Sequence, residues 1–320
     1  MAARKGKFSK NSMVSILFFV IVAIFLILYL KRIDIQKLRE VHLSWTFIAV
    51  ASVFALAGRY WSILVWFVLL KSLGAKNIEN HKASLAYVFA KSWMGRYIPG
   101  TAPWILGKIY FASKHGISKN KLAVSSLLEG GLQITVTIAI SFVMLLLDSR
   151  LRIISGGLKL FMLAVLLGCV ITIMPPVFNR MVSIAYKIIK KKTLDTEHLA
   201  SGKTILRGSS LFIIGALLSG LSLFFIAKAV YPSLGIHDML YVMGASNLAG
   251  AMGMLAVFVP SGIGVRDGIL LLLLSAIMPT ELALVITVIG RLWSVVMDLV
   301  FFGIAKTFHN HDNNRPVATN

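Results

Sequence analysis

Long apolar runs alternate with short basic segments along the chain, and the runs are of two kinds. Continuous runs occupy residues 13–30, 43–70, 121–147, 158–178, 208–230 and 282–305. Each approaches or exceeds the roughly 20 residues that a helix needs to cross a bilayer. Two other runs, at residues 84–112 and 239–277, are interrupted by proline and glycine. Because proline ends a helix, each interrupted run predicts a broken, re-entrant helical hairpin.

The two kinds of run follow the same order in both halves of the chain: span, span, hairpin, span. Three crossings per half is an odd number, so the halves should have opposite orientations in the membrane. We therefore predict an all-α polytopic membrane protein of two inverted repeats, each with three spanning helices plus one broken hairpin. Residues 1–12 would form a basic cytoplasmic N-terminus, 13–305 a single membrane domain with halves 13–147 and 158–305, and 306–320 a polar cytoplasmic tail.

Composition and charge agree with a membrane protein rather than a soluble one. The chain is 58% hydrophobic and 14% charged, with a mean hydropathy of +0.83. The net charge of +21 would suggest nucleic acid binding in a soluble protein. Here anionic lipid headgroups and the positive-inside rule explain it better, and no nucleic acid partner is expected. Most basic residues between the runs lie in segments on one side of the membrane, the side that holds both termini and the predicted loop 179–207. The positive-inside rule makes this side the cytoplasmic face of a cell-membrane protein.

Cysteine and histidine usage gives no indication of a metal or cofactor. The single Cys169 excludes a disulfide within the chain and a cysteine metal cluster. The histidines fall mostly in polar segments, so we expect no metal site and no cofactor. No small-residue cleavage signature follows residues 13–30, which we interpret as an uncleaved first span.

The second interruption is the strongest candidate for a binding site. Residues 259–268 have the sequence VPSGIGVRDG. Pro260 should end the first arm of the hairpin, and Gly262 and Gly264 would leave backbone amides uncovered by side chains. Arg266 and Asp267 then begin the second arm. Bare amides and an arginine at a helix start are typical of an anion site. The plain alternative is a glycine and proline loop at the membrane surface.

Ionisable residues within the apolar runs are more often basic than acidic. Each charge costs about 2.5–3.5 kcal/mol or more at the bilayer centre, so these residues should face a cavity or one another. An anionic headgroup would balance the excess of positive charge. We expect Lys91, Lys108 and Lys228 to extend to the interface instead. The cations are Arg59, Lys91, Arg96, Lys108, Lys228, Arg266 and Arg291, and the acids are Glu129, Asp267 and Asp298.

Several pairings of these charges are open from the sequence. Glu129 could pair with Arg96 or Arg59, or could act as a proton-coupling carboxylate. Arg96 could complement a helix end or reach into a cavity. Arg291 and Asp298 should partner Asp267 and Arg266 across the second hairpin. The candidate substrate-binding residues are Arg59, Arg96, Glu129, Gly262, Gly264, Arg266, Asp267, Arg291 and Asp298.

The sequences RYIPG at 96–100, LGK at 106–108, Glu129 and FVPSGIGVRDG at 258–268 resemble the flippase-like family. This family is also called the lysylphosphatidylglycerol synthase transmembrane region. It includes the membrane half of the multiple peptide resistance factor and stand-alone relatives linked to lipid-carried sugars. The resemblance covers about residues 13–305, with aspartate at 267 where the family usually has glutamate. These residues include no soluble aminoacyl-transferase domain, so we expect that this chain does not make aminoacyl lipid.

The resemblance implies a lipid flippase-like transporter rather than an enzyme. Its cargo would be a phospholipid, an aminoacyl-phospholipid or a polyprenyl-phosphate sugar. The alternatives are an intramembrane lipid-modifying transferase and a non-transporting partner subunit of a synthase. No acidic pair with metal-ligand spacing favours the transferase. The expected partners are an anionic lipid or lipid-linked substrate and the membrane, and further candidates are a lipid or glycan synthase and a second copy of the chain.

Overall fold

The chain is built from helices and connecting turns in the ranges that its computed structural model describes, residues 43–97, 102–148, 156–194, 199–257 and 259–313. The α-helices are α1 Trp45–Ser72, α2 Lys82–Trp93, α3 Ala102–Ser113, α4 Lys119–Leu147, α5 Gly156–Ile173, α6 Pro175–Lys190, α7 Gly202–Val230, α8 Met239–Leu255, α9 Val265–Leu274 and α10 Thr280–Asn313. Short 3-10 turns lie at Glu79–His81, Met94–Tyr97, Ile236–Asp238 and Pro260–Gly262. The prediction of an all-α membrane protein is confirmed for these residues.

Helices α1, α4, α5, α7 and α10 are long and apolar enough to cross a membrane. They correspond to the five predicted spans that fall within the described ranges. The remaining predicted span, 13–30, and the terminal segments 1–12 and 314–320 lie outside the described residues. Helix α10 extends into the predicted polar tail and ends at Asn313.

Both interrupted runs form hairpins of two short helices. Helices α2 and α3 flank the turn Met94–Tyr97, and α8 and α9 flank Pro260–Gly262. Residues 98–101, with the first predicted break at Pro99, lie outside the described residues. Glycine allows the arms to approach closely in each hairpin. A Cβ on Gly95 would lie 2.9 Å from the Trp104 nitrogen, and one on Gly262 would lie 2.6 Å from the Gly253 Cα.

The segment after α5 differs from the prediction of a span to residue 178 followed by a polar loop. Helix α5 ends at Ile173, and residues 175–190 form the amphipathic helix α6. Two prolines in the first turn of α6 need no intrahelical N–H partner there and start this new helix. Phe178, Val182 and Tyr186 recur every four residues and are buried. The loop prediction was wrong because it weighed the basic residues and missed this helical spacing.

The halves are interlocked by their hairpins. Helix α4, the last span of the first half, packs against α8 of the second hairpin, and α10, the last span of the second half, packs against α2 of the first. Helices α1 and α7, which the sequence predicts to be equivalent second spans, pack against each other. The turns Met94–Tyr97 and Pro260–Gly262 are also in contact. The two hairpins therefore meet at these turns.

Candidate functional site

A cavity of about 460 Å³ is lined by both hairpins and by spans α1, α4, α7 and α10. Its wall contains four tryptophans, Trp61, Trp93, Trp104 and Trp293, and many small or hydroxyl-bearing residues. Among the described residues that line it, the ionisable side chains are Arg59, Arg96 and Arg266, and none is acidic. The charged side chains of the described cavity lining are therefore all basic, and the rest of that lining is uncharged.

The turn of the second hairpin contains residues with positive φ angles and forms hydrogen bonds with two arginines. Ser261 has a φ of +51°, and Gly262 and Gly264 follow with φ of +66° and +84°. The Arg96 Nε donates to the Ser261 hydroxyl at 3.2 Å. The Arg291 Nη1 donates to the Ser261 carbonyl oxygen at 3.0 Å. Ser261 thus links the break of the first hairpin to the last span through the second break.

Asp267 caps the start of α9. Its Oδ2 accepts a hydrogen bond from the Gly264 backbone N–H at 3.1 Å. A carboxylate in the first turn also complements the positive end of the helix. This contact fixes the direction in which α9, and with it Arg266, leaves the turn.

The Asp298 carboxylate accepts hydrogen bonds from several residues in the first half of the chain. It is fully buried, and its Oδ1 accepts from the Arg59 Nε at 2.7 Å and from the Trp93 Nε1 at 3.2 Å. The Tyr97 hydroxyl donates to Oδ2, and the Arg96 Nη1 lies 3.8 Å from the same oxygen. The predicted pairing of Asp298 with Arg266 is wrong. Asp298 lies two helical turns from Arg291, which places it beside α1 and the first hairpin rather than α9.

Arg266 lines the cavity and makes no side-chain hydrogen bond or ion pair with the described residues. Arg291 is also incompletely paired, since its Nη2 is buried with no hydrogen-bond partner in the described part of the chain. Asp267 attracts Arg291 electrostatically, as the predicted partnership requires, but the two make no direct ion pair. Arg291 donates to the Ser261 carbonyl, and Asp267 caps α9. Four arginines therefore lie near two carboxylates, and only Asp298 forms ion pairs with them, to Arg59 and Arg96.

A separate buried ion pair joins α3 to α4. The Lys108 Nζ donates to the Glu129 Oε2, and the two residues are 1% and 2% exposed. The Lys108 Nζ also lies 4.0 Å from the centre of the Trp104 ring and close to Trp66 and Phe89. The predictions that Lys108 reaches the interface and that Glu129 pairs with Arg59 or Arg96 are wrong. Helix α3 folds back into the protein, so the lysine points inward to Glu129.

The predicted site residues therefore divide into two groups. Arg59, Arg96, Gly262 and Arg266 line the cavity. The second group stabilises the turn of the second hairpin or binds an arginine beside it, and it contains Gly264, Asp267, Arg291 and Asp298. Glu129 lies apart from the cavity lining, and the substrate-binding role of all nine residues stays a prediction.

Sequence reasoning missed several residues that position the arginines, chiefly Ser261, Trp93 and Tyr97. Trp93 and Tyr97 are four residues apart and flank Arg96, so their shared helix face was a signal that could have been used. No group of three or more His, Cys, Asp or Glu side chains in the described ranges is arranged to hold a metal ion.

An exposed ion-pair group joins the end of α1 to the start of α2 through Glu79, which lies between these helices. Glu79 pairs with Lys71 and Lys82, and these hydrogen bonds lower the Glu79 pKa to about 2. Its stabilising contribution is present above the ordinary carboxyl pKa and is lost as pH falls through the lowered value. All three side chains are about half exposed, so solvent screens the pairs and they mainly order the turn.

A family model described as the lysylphosphatidylglycerol synthase TM region matches residues 13–301, which is well over half of the chain. The match includes both hairpins, the cavity and the Lys108–Glu129 pair. The resemblance found in the sequence motifs is confirmed by it. No curated protein matches the chain.

Proposed function

Because the chain belongs to the lysylphosphatidylglycerol synthase TM region family, we propose that it moves an anionic-headgroup lipid between the leaflets of the membrane. The observation that carries this proposal is the charge of the cavity. Arg59, Arg96 and Arg266 line it without any acidic residue among the described lining. An unbalanced charge within a membrane is costly, and a phosphate bound there would supply the missing negative charge.

Arg266 would make the main contact with the phosphate. It lines the cavity free of any described partner, whereas Arg59 is bound to Asp298 and Arg96 to Ser261. A guanidinium can donate two parallel hydrogen bonds to phosphate oxygens, which gives both strength and orientation. The paired arginines would add positive potential and hold the walls in place, while the lipid tails stay outside the cavity.

The arrangement of the hairpins supports alternating access. Broken helices at matching positions are typical of transporters with inverted repeats. The exchange of partners, α4 with α8 and α10 with α2, supports the two-repeat organisation. In this proposal the hairpins move against each other around the cavity, with Ser261 and its two arginines at the contact between them. The protein would act in the cell membrane with both termini in the cytoplasm.

The test is transport by purified protein in liposomes. Fluorescent phosphatidylglycerol is placed in the vesicles, and the lipid in the outer leaflet is quenched chemically. We expect quenching beyond the half reached in protein-free vesicles, with the lipid recovered unchanged. A new lipid species formed from an added donor would instead indicate a transferase. If neither occurs and the protein copurifies with a synthase, a partner subunit would replace the proposal.

A further inference from the structure

We infer that the cavity selects headgroups whose charge is wholly negative and discriminates against aminoacylated headgroups. This inference rests on the proposed function and concerns the same site. An aminoacyl headgroup such as lysyl-phosphatidylglycerol carries more positive ammonium groups than negative phosphates. A site that accepts it should offer carboxylates to the amines as well as cations to the phosphate, because an unpaired charge away from water is unfavourable.

The carboxylates near the described cavity lining already accept hydrogen bonds from other groups of the protein. Asp298 is fully buried and accepts from Arg59, Trp93 and Tyr97. Asp267 caps α9 through the Gly264 amide. Neither forms part of the cavity lining. An ammonium group in the cavity would therefore meet arginines and no available carboxylate of the described lining.

Glu129 offers no better partner for an amine. Its Oε2 accepts from Lys108 in a pair that is almost completely buried. Releasing this carboxylate to a ligand would leave Lys108 buried without its counter-ion, which is strongly unfavourable.

Aromatic rings are the other protein groups that attract ammonium ions, and two of the four tryptophans in the cavity lining already hold a cation. The Arg96 guanidinium lies 4.7 Å from the centre of the Trp93 ring. The Lys108 Nζ lies 4.0 Å from the centre of the Trp104 ring. The remaining rings of the lining, on Phe54, Trp61, Phe212 and Trp293, attract an ammonium ion less strongly than several nearby arginines repel it.

The uncharged polar lining suits hydroxyl groups. Gln133 on α4 lines the cavity, and its amide makes no hydrogen bond with the described residues. Several serines, among them Ser219, Ser246 and Ser294, also contribute to the wall. These groups can donate to and accept from a glycerol or sugar hydroxyl without adding charge. The chemistry of the lining therefore fits a phosphate that carries hydroxyls and lacks amines.

The experiment compares labelled phosphatidylglycerol and lysyl-phosphatidylglycerol at equal amounts in liposomes that contain the purified protein. We expect phosphatidylglycerol to move at least about tenfold faster, because like charges facing each other are a strong barrier to binding. Equal or faster transport of the lysyl lipid would overturn the inference while leaving the proposed function intact. If neither lipid moves, the proposed function fails and the inference with it.

A charge-adding variant tests the electrostatic cause. Gln133→Glu places a carboxylate in the cavity with almost no change in shape, and we expect it to narrow the ratio of the two transport rates several-fold. Gln133→Met removes the same amide without adding charge and should leave the ratio near that of the wild-type protein. A ratio that does not narrow in Gln133→Glu would contradict an electrostatic origin of the selectivity. Using the ratio cancels any loss of folded protein, which affects both lipids equally.

Discussion

Two groups of charges lie inside this membrane domain, and they are organised in opposite ways. Lys108 and Glu129 form one pair of opposite charges, closed off from the surroundings by Trp66, Phe89 and Trp104. Near the turns of the hairpins four arginines lie close to two carboxylates, Asp267 and Asp298, and three of the arginines face a cavity. The first group is electrically balanced, and the second has an excess of positive charge.

The difference distinguishes a structural ion pair from a binding site. Both groups contain charged residues in apolar helices, so the sequence alone would make both of them candidates for a functional site. A balanced pair needs no ligand, because each charge has its counter-ion. An unbalanced group that faces a cavity is completed by an anion. Pairing in space therefore indicates function more clearly than the presence of charge.

The largest expected effect on stability comes from breaking the balanced pair. Glu129→Gln leaves Lys108 buried without a counter-ion, which should lower the free energy of unfolding by about 3–5 kcal/mol. The measurement is the melting temperature of the detergent-solubilised protein, followed by intrinsic tryptophan fluorescence. A melting temperature like that of the wild-type protein would contradict the structural role.

A double variant separates structure from transport at this pair. Lys108→Met combined with Glu129→Leu replaces both charges with apolar groups of similar size, a change that is often neutral for stability. We expect the double variant to recover both stability and lipid transport. A stable double variant without transport would show that the pair takes part in the transport cycle, for example by carrying a proton.

A smaller effect is expected at the cap of α9. Asp267→Ala removes the acceptor for the Gly264 amide and should cost about 0.5–2 kcal/mol. Asp267→Asn keeps an oxygen at that position, so its cost should be clearly smaller if capping is the main role. Melting temperatures of the two variants measure this difference. Equal losses would indicate that the negative charge of Asp267, near the arginine group, matters more than the cap.

The sequence was sufficient to predict most of the spanning helices and the two interrupted runs that form hairpins. Proline and glycine at 260–264 interrupt an otherwise apolar run, and the turn forms there because the chain has few other conformations available. Arg266 follows directly from that turn, so its place at the cavity was also predictable. These features depend on neighbours in the sequence.

The pairing of charges was not predictable, because it depends on contacts between distant helices. Asp298 was expected to pair with Arg266, yet it lies two helical turns beyond Arg291 along α10, where it meets Arg59, 239 residues earlier in the chain. Glu129 finds Lys108 because α3 folds back against α4. Helix α6 was missed for a different reason, since its basic residues obscured the apolar spacing of Phe178, Val182 and Tyr186.

The central claim is that Arg266 binds the headgroup and does not hold the fold together. The most direct measurement compares lipid transport with melting temperature for Arg266→Ala, Arg266→Lys and the control Arg207→Ala, whose arginine is exposed on α7. We expect Arg266→Ala to abolish transport with little change in melting temperature, and Arg207→Ala to transport normally. Arg266→Lys should recover only part of the activity, because lysine cannot form the two-pronged contact with phosphate. Unfolding of Arg266→Ala, or normal transport by it, would contradict the account.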